Sequence, residues 1–279
     1  MSELPEPTGA ATSRARRQTW GLIGISLALY GVLRFVFGPL PQDPAYHILA
    51  DIRLCGFIPR AGDVLTKFSI LAAGVAGLLL WRRVHVEPRE RAAYALLVAG
   101  MLLTAFGSAY YHWAPGDARL VWDRLPMMLV LAALLTFLLA DRIDPLFASA
   151  ALWPIVALGA ASVLWWAWTR WQGADDLRLY LIVRIGTGIA IAFLLLLRRG
   201  RHSAAPWLWA ALALDIVMTV AERLDNEIYS ATGMFVSGHN VKHVLAGVLL
   251  GCTLAWLLLR EPTSPSGDRP QPSGPEFAR

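Results

Sequence analysis

Residues 92–112, AAYALLVAGMLLTAFGSAYYH, form an apolar run without a single Asp, Glu, Lys or Arg. Such a run matches the roughly 20 residues that a helix needs to cross the hydrocarbon core of a bilayer. Because hydrocarbon offers no hydrogen-bond partners, only a helix satisfies its backbone there without neighbouring strands. The stretch therefore predicts a transmembrane helix.

Outward from this run, the same pattern recurs along the chain. The further apolar runs are 20–37, 65–81, 122–140, 146–169, 179–197, 206–222 and 239–259. Hydrophobic residues make up 56% of the 279 and charged residues 16%, with a mean hydropathy of +0.50. A soluble domain of this length needs a more polar surface. We expect an all-α, polytopic membrane protein with eight transmembrane helices.

The two ends of the chain are polar. Residues 1–18 and 260–279 are rich in Pro, Ser and charged residues, and we expect both to be disordered tails. The first apolar run, 20–37, competes with a secretory signal peptide as an interpretation. It is long for a signal peptide, and Gly-Pro-Leu-Pro at 38–41 is a poor cleavage site. We therefore expect an uncleaved helix and an outer loop over residues 19–60.

The net charge of +5 comes almost entirely from arginines that lie between the apolar runs. This distribution is typical of topology signals, whereas a nucleic-acid surface gathers its basic residues on one soluble face. We expect no nucleic-acid partner. The arginine bias predicts cytoplasmic N- and C-termini, and frequent Arg and Ala with two lysines favours a bacterial inner membrane. Cys55 and Cys252 form no CxxC motif and predict no thiolate site.

Five polar residues near helix ends fall on one predicted membrane face, the outer one. Ser108 and His112 are four apart at the end of the third run, and Asp123 opens the fourth. His239 and His243 have the same spacing at the start of the eighth. Residues four apart share a helix face, so one helix offers two imidazoles to a metal ion. A third histidine leaves the fourth coordination position of zinc to water, with Asp123 as proton acceptor and Ser108 as donor to an oxyanion.

Each of these residues also has a structural interpretation. The histidines could be interfacial polar groups, Asp123 could cap its helix, and Ser108 could line a helix contact. The remaining histidines, 47, 85 and 202, have no partner at ligand spacing, and we expect them to be solvated. Arg119 and Arg124, beside the predicted site, are candidates for holding an anionic lipid headgroup.

Three short motifs also carry a resemblance. They are FGSAYYH at 106–112, DRLPM at 123–127 and SGHNVKH at 237–243. Together they resemble the SxxxH…D…HxxxH pattern of the alkaline ceramidase-like membrane hydrolases, a superfamily that also includes the progestin/adiponectin-receptor-like proteins. The resemblance covers roughly residues 61–259 and implies a seven-helix ceramidase-like core there, which makes the first helix an addition at the N-terminus.

The resemblance implies that His112, His239 and His243 bind Zn²⁺ together with a water, assisted by Ser108 and Asp123. It also implies zinc-dependent hydrolysis of a lipid amide, with ceramide or a related N-acyl lipid as the substrate partner. The alternative is a membrane receptor with a structural zinc, because receptor-like relatives share the five residues. A transporter ranks last, because no inverted repeat is visible.

The chain departs from the eukaryotic alkaline ceramidases in two places. Their acidic N-terminal calcium site follows a Trp-Cys-Glu run, whereas Trp20 is followed here by Gly-Leu-Ile, so we expect no calcium dependence. Their usual Ser-Asn pair is replaced by Thr66-Lys67, which affects contacts with the substrate.

Within the membrane, Arg184 and Asp215 predict a structural ion pair between helices. The acidic cluster at 222–227 predicts a solvated loop, with a site for a cation or a lipid headgroup as the alternative. The oligomeric state is not predicted.

Overall fold

Helices dominate the part of the chain that the computed structural model describes, residues 9–263, and this part contains no β-strand. The predicted all-α class is therefore confirmed. The helices are α1 (Gly9–Val36), α2 (Ala61–Leu65), α3 (Phe68–Leu79), α4 (Arg91–Trp113), α5 (Asp117–Arg142), α6 (Pro145–Trp171), α7 (Arg178–Leu197), α8 (Ala205–Arg223), α9 (Asp225–Ala231) and α10 (Gly238–Leu259).

Seven helical segments are long and apolar enough to cross a membrane, counting α2 and α3 as one segment. The other six are α4 with its preceding 3₁₀ turn, α5, α6, α7, α8 and α10. They coincide with the seven apolar runs that follow residue 61 in the sequence. The protein is thus a multi-pass membrane protein built around these seven segments.

The N-terminal helix α1 is longer than predicted. It begins at Gly9, so residues 9–18, expected in a disordered tail, are helical; Ala10 and Ala11 in its first turn are strong helix formers. Residues 1–8 lie outside the described part of the chain. Among the residues of α1 whose side chains are described, the apolar segment is Leu27–Val36, and an eighth transmembrane span stays a prediction.

Polar contacts near its C-terminal end hold helix α1 against the bundle, and Arg34 is one of them because it pairs with Asp176 at 3.5 Å. The hydroxyl of Tyr30 donates to Asp176 (2.9 Å) and accepts from the indole N–H of Trp165 (2.8 Å). Tyr30 also packs edge-on against the Trp165 ring. These contacts place α1 beside α6 and α7, on the outside of the seven-segment core.

Short connections and close approaches fix the helices that carry the predicted site. Only three residues, 114–116, separate α4 from α5, so the end of one and the start of the other lie at the same end of the bundle. Gly107 of α4 touches the backbone of Trp122 in α5, and a Cβ at Gly107 would overlap the Trp122 carbonyl oxygen. The absence of a side chain at Gly107 therefore sets the spacing between these helices.

A second polar network lies at the opposite end of the bundle and corrects two expectations. Arg260, predicted to start a disordered tail, is fully buried, pairs with Glu90 and donates to the backbone carbonyl of His85. His202, predicted to be solvated, is buried with Nδ1 2.8 Å from Asp141. Each prediction failed because a partner distant in sequence supplies the hydrogen bonds that water would otherwise give. Residues 264–279 of the predicted tail lie outside the described chain.

The predicted ion pair inside the membrane is not formed. Arg184 of α7 and Asp215 of α8 are both exposed, and within residues 9–263 neither has an oppositely charged group within 4.0 Å. The reason is the packing of α8, which lies mainly against α10 and touches α7 only slightly. The two side chains therefore stand on helices that hardly meet.

Candidate metal centre

Three histidines from two helices meet at one end of the bundle. His112 lies in the last turn of α4, and His239 and His243 lie in the first two turns of α10. Their exposed fractions are 2%, 5% and 4%, and one ligand nitrogen from each lies within 4.8 Å of the others. The three residues form a group that can hold a metal ion.

The spacing of the nitrogens fits a tetrahedral ion. Nε2 of His112 lies 3.4 Å from Nε2 of His239. Two nitrogen ligands that each stand about 2.0–2.1 Å from a tetrahedral zinc ion are separated by roughly 3.3–3.4 Å. Nitrogen donors of this kind suit zinc among other transition metals, whereas calcium and magnesium prefer oxygen. The three imidazole nitrogens are therefore a suitable donor set for the zinc ion that the sequence predicts.

The hydrogen bonds around His243 assign its free ring nitrogen. The hydroxyl of Thr66 donates to the carbonyl of Gly62 (2.8 Å), so its oxygen accepts from Nδ1 of His243, 3.2 Å away. The ammonium of Lys67, which can only donate, contacts Nε2 of the same ring. His243 is thus held with its proton on Nδ1 and a lone pair on Nε2. A hydrogen bond that orients the ring in this way is typical of metal-binding histidines.

The start of α10, and with it His239, is positioned by its cap. Ser237 accepts a hydrogen bond from the backbone of Asn240, whose side chain reaches back to the backbone N–H of Ser237. This reciprocal arrangement satisfies two free donors at the helix start. The carboxylate of Asp225 accepts from the backbone N–H of His239 at 2.7 Å. Position 238, between Ser237 and His239, requires glycine because a Cβ at Gly238 would overlap the Ala221 carbonyl oxygen.

The structure places the other two predicted site residues at the same end of the bundle. Ser108 is buried one helical turn before His112 on α4, and Asp123 is buried in the second turn of α5. The Gly107–Trp122 contact presses these two turns together. The expected convergence of the helix ends is thus confirmed, while the catalytic roles of Ser108 and Asp123 stay predictions.

The loop of residues 38–60 folds over this end of the bundle. Gln42 is buried, its backbone N–H donates to Asp175 (3.2 Å) and its side chain accepts from Arg124 (2.5 Å). His47, expected to be solvated, is partly buried instead: Nδ1 lies 2.9 Å from the Tyr111 hydroxyl and Nε2 3.1 Å from Asp117. The loop therefore covers the end of the bundle that holds the three histidines, and these polar contacts keep it there.

Two acids of the cluster at 222–227 have partners in the fold, whereas Asn226 and Glu227 are exposed. Asp225 accepts from the backbone N–H of Ala50 (2.9 Å) as well as from that of His239. Glu222, in the last turn of α8, pairs with Lys242 of α10 at 2.5 Å. The prediction of a solvated loop is therefore wrong for Glu222 and Asp225, because other segments of the chain supply their partners.

Two buried aspartates accompany the metal centre and were not singled out from the sequence. Asp51 is fully buried and accepts two hydrogen bonds from the guanidinium of Arg53. Burial raises the pKa of Asp51, but the hydrogen bonds and charge of Arg53 together lower it more, so the net shift is downward. Asp63 accepts from the Asn240 amide at 2.7 Å, and its Oδ2 has no partner within the described chain.

Lys67 is a further residue of the centre that was not predicted to lie there. Its side chain points inward, is 3% exposed and touches the histidine group. A signal was present, since Asp63 and Lys67 stand four apart at the start of an apolar run, where a charged pair is expensive unless it has a function.

An apolar groove of ≈ 340 Å³ opens beside the histidines, between α2 and α10. It is lined by Arg53, Gly62, Thr66, Phe235, Val236, Asn240, Val241, Val244 and Leu245. Thr66 forms part of its wall and bonds to His243 on the other side. The groove therefore leads along α10 to the edge of the metal centre.

No model of a known protein family, no curated protein and no solved structure matches the chain.

Proposed function

We propose that the protein is a zinc-dependent membrane hydrolase that cleaves the amide bond of an N-acyl lipid such as ceramide. The observation that carries the proposal is the buried convergence of His112, His239 and His243 at the end of the membrane bundle where Asp123 and Ser108 are also buried. Three protein ligands that leave a fourth position open are typical of catalytic zinc, whereas structural zinc sites are usually closed by four.

Bound zinc would supply a Lewis acid that makes water nucleophilic at neutral pH. Around it, the chain's own residues have distinct tasks. Asp123 accepts a proton from the attacking water and passes it to the departing amine. Ser108 donates a hydrogen bond to the acyl carbonyl oxygen as negative charge develops there. The bond from water oxygen to the acyl carbon forms, the carbon–nitrogen bond breaks, and a fatty acid and an amine leave.

Two features support a lipid as the substrate. The histidines lie just inside one end of a bundle of membrane-spanning segments, at a depth that the polar end of a lipid can reach. The apolar groove beside Thr66 offers a surface of Val241, Val244 and Leu245 for an acyl chain. The arginine distribution supports cytoplasmic termini and a site at the outer face, and frequent Arg and Ala with two lysines supports a bacterial inner membrane.

The test combines metal content with hydrolysis. The detergent-purified protein, its His239→Ala variant and its His202→Ala variant are compared by elemental mass spectrometry and by release of fatty acid from a panel of N-acyl lipids. His202 is the matched control, because it is a buried histidine with a carboxylate partner at the other end of the bundle.

We expect about one zinc per chain and hydrolysis in the wild type and in His202→Ala, and neither in His239→Ala. Zinc without hydrolysis of any lipid amide would overturn the enzyme proposal in favour of a receptor with structural zinc. An absence of metal even after zinc is supplied would overturn both.

A further inference from the structure

The second half of the covering loop, residues 48–60, is arranged inside out for a segment in water. Its one acid, Asp51, is fully buried. The exposed fractions of Ile52, Leu54 and Phe57, by contrast, are 72%, 69% and 82%. Segments in water usually turn their charged groups outward and expose few large apolar side chains together. The outer face of this loop is therefore suited to apolar surroundings.

A tight turn presents Phe57 at the tip of this segment. The backbone N–H of Cys55 donates to the carbonyl of Ile58 (3.1 Å), and the N–H of Ile58 donates to the carbonyl of Cys55 (3.0 Å). Gly56, the first of the two residues between them, has a φ of 58°, which glycine adopts without strain. The Phe57 ring stands 6.3 Å from that of Trp113 at the end of α4. The backbone therefore holds Phe57 outward, beside the end of a membrane-spanning helix.

The turn before α10 adds two more exposed apolar side chains. Met234 and Phe235 are 65% and 72% exposed. Arg53 joins this turn to the loop, because its Nη2 donates to the carbonyl of Phe235 (2.7 Å) and its guanidinium lies 5.7 Å from the centre of the Phe235 ring. The two segments are thus neighbours. We name their exposed apolar side chains the apolar lip: Ile52, Leu54, Phe57, Met234 and Phe235.

The apolar lip stands at the mouth of the groove between α2 and α10. Arg53 and Phe235 both line that groove. Val244 lines it as well, and also lines a second groove of ≈ 450 Å³ that follows α3 and α10 as far as Leu80 and Leu258. The second groove lies at the depth of the hydrocarbon, because these helices belong to membrane-spanning segments. The apolar lip is therefore continuous with a surface of the bundle that faces lipid.

The charges beside the apolar lip also fit a lipid leaflet. Within residues 48–60 and 232–238 the one acid is Asp51, and its burial leaves no exposed carboxylate to repel lipid phosphates. Arg53 is partly exposed next to aromatic rings, and arginine with aromatic side chains is typical of the boundary between membrane and water. A protein partner would cover the lip but not the groove within the bilayer, whereas lipid covers both.

We infer that the apolar lip lies at the boundary between headgroups and acyl chains of the leaflet at this end of the bundle, and that the groove beneath it takes an acyl chain of a lipid from that leaflet. The groove then opens into the membrane and not into water. A lipid reaches the wall formed by Thr66, beside His243, without leaving the bilayer. This placement holds whether or not the bound lipid is hydrolysed, so its test needs no activity.

The first test locates the apolar lip in phosphatidylcholine nanodiscs. In full-length protein, the exposed Cys55 is changed to serine, and the dye NBD is attached to Phe57→Cys, Phe235→Cys or the control Glu227→Cys. Glu227 is an exposed position on α9. The buried Cys252 remains, and protein without an added cysteine measures its labelling. Dithionite reduces the dye from water, whereas a phospholipid with a nitroxide at the top of its acyl chain quenches it from the leaflet.

We expect the dyes at 57 and 235 to be quenched by the nitroxide lipid and to be reduced several-fold more slowly than the dye at 227. Equally fast reduction at all three positions would place the apolar lip in water and overturn the inference. Protection from dithionite without quenching by the nitroxide lipid would mean that a protein partner or a second copy of the chain covers the lip. That outcome overturns the inference as well.

The second test identifies what fills the groove. The nanodiscs contain a phospholipid with a photoactivatable diazirine in its acyl chain, and mass spectrometry of peptides locates the lipid after irradiation. Val244→Trp fills the groove from an exposed position, and the control Val217→Trp places the same side chain on an exposed position of α8. We expect the lipid yield on α2 and the first half of α10 to fall several-fold in Val244→Trp alone, with an unfolding temperature near that of the wild type. An unchanged yield in Val244→Trp overturns the assignment of an acyl chain to the groove.

Discussion

The ammonium of Lys67 contacts Nε2 of His243, the ring nitrogen that the Thr66 hydrogen bond leaves free for a metal. Lysine and metal therefore compete for one lone pair, and the lysine must turn aside when the metal enters. Lys67 thus opposes metal binding.

Removing this cation should strengthen metal binding. We expect Lys67→Met to raise the zinc affinity at least tenfold, which corresponds to about 1.4 kcal/mol. The methionine side chain has a similar length and neither donates to His243 nor repels a dication. A competition titration with a chromophoric chelator measures the change, with Arg223→Met, which alters an exposed arginine in the last turn of α8, as the control. An unchanged or weaker affinity in Lys67→Met would contradict the competition between lysine and metal.

Substitution of Asp123 or Ser108 should lower the rate of hydrolysis without loss of bound zinc. Because neither belongs to the histidine group, we expect Asp123→Asn and Ser108→Ala to keep about one zinc per chain. Loss of the proton acceptor should lower kcat roughly 100-fold or more, and loss of the hydroxyl donor roughly 10- to 100-fold. Zinc content and single-turnover hydrolysis are measured on the same preparations. Loss of zinc in Asp123→Asn would instead make Asp123 a ligand.

Asp225 should couple the covering loop to the metal centre. Its carboxylate accepts from the backbone N–H groups of Ala50 and His239, so Asp225→Ala leaves two donors without their partner. We expect a loss of about 2 kcal/mol in the free energy of unfolding and weaker zinc binding, since hydrogen bonds to charged groups contribute about 1.5–3 kcal/mol each. Thermal unfolding with and without zinc measures both effects.

Glu227→Ala provides the control for that variant. Glu227 is an exposed acid on the same short helix, α9, and should tolerate the change within about 0.5 kcal/mol. Equal effects of the two substitutions would show that the charge of α9 matters and not the hydrogen bonds of Asp225.

The sequence predicts the helices and the histidine group because both depend on local patterns. Hydropathy over about 20 residues identifies a span, and the spacing of His239 and His243 fixes their common face. The partners of His202, Arg260 and Lys67 could not be predicted in this way. Each makes a polar contact with a residue more than 50 positions away. Without the packing of the helices, the sequence therefore predicts that a polar residue at a helix end is solvated.

A side chain at position 107 should lower kcat, because it would displace the helix that carries Asp123. A Cβ at Gly107 would overlap the Trp122 carbonyl oxygen, so Gly107→Ala must push α5, which carries Asp123, away from α4. Overpacking of this kind costs about 1–3 kcal/mol. We expect Gly107→Ala to lose at least tenfold in kcat while zinc content stays near one per chain, because the ligands lie on α4 and α10.

Gly186 supplies the matched comparison for that glycine. It lies inside α7, and a Cβ there meets no atom of the described chain within 4 Å. Alanine forms helices more readily than glycine, so Gly186→Ala should leave activity unchanged and keep or slightly raise the unfolding temperature. Both variants are assayed for hydrolysis, zinc content and thermal unfolding under the same conditions. Full activity in Gly107→Ala would mean that the spacing of α4 and α5 does not position Asp123, and the role of that carboxylate would have to be assigned to another acid.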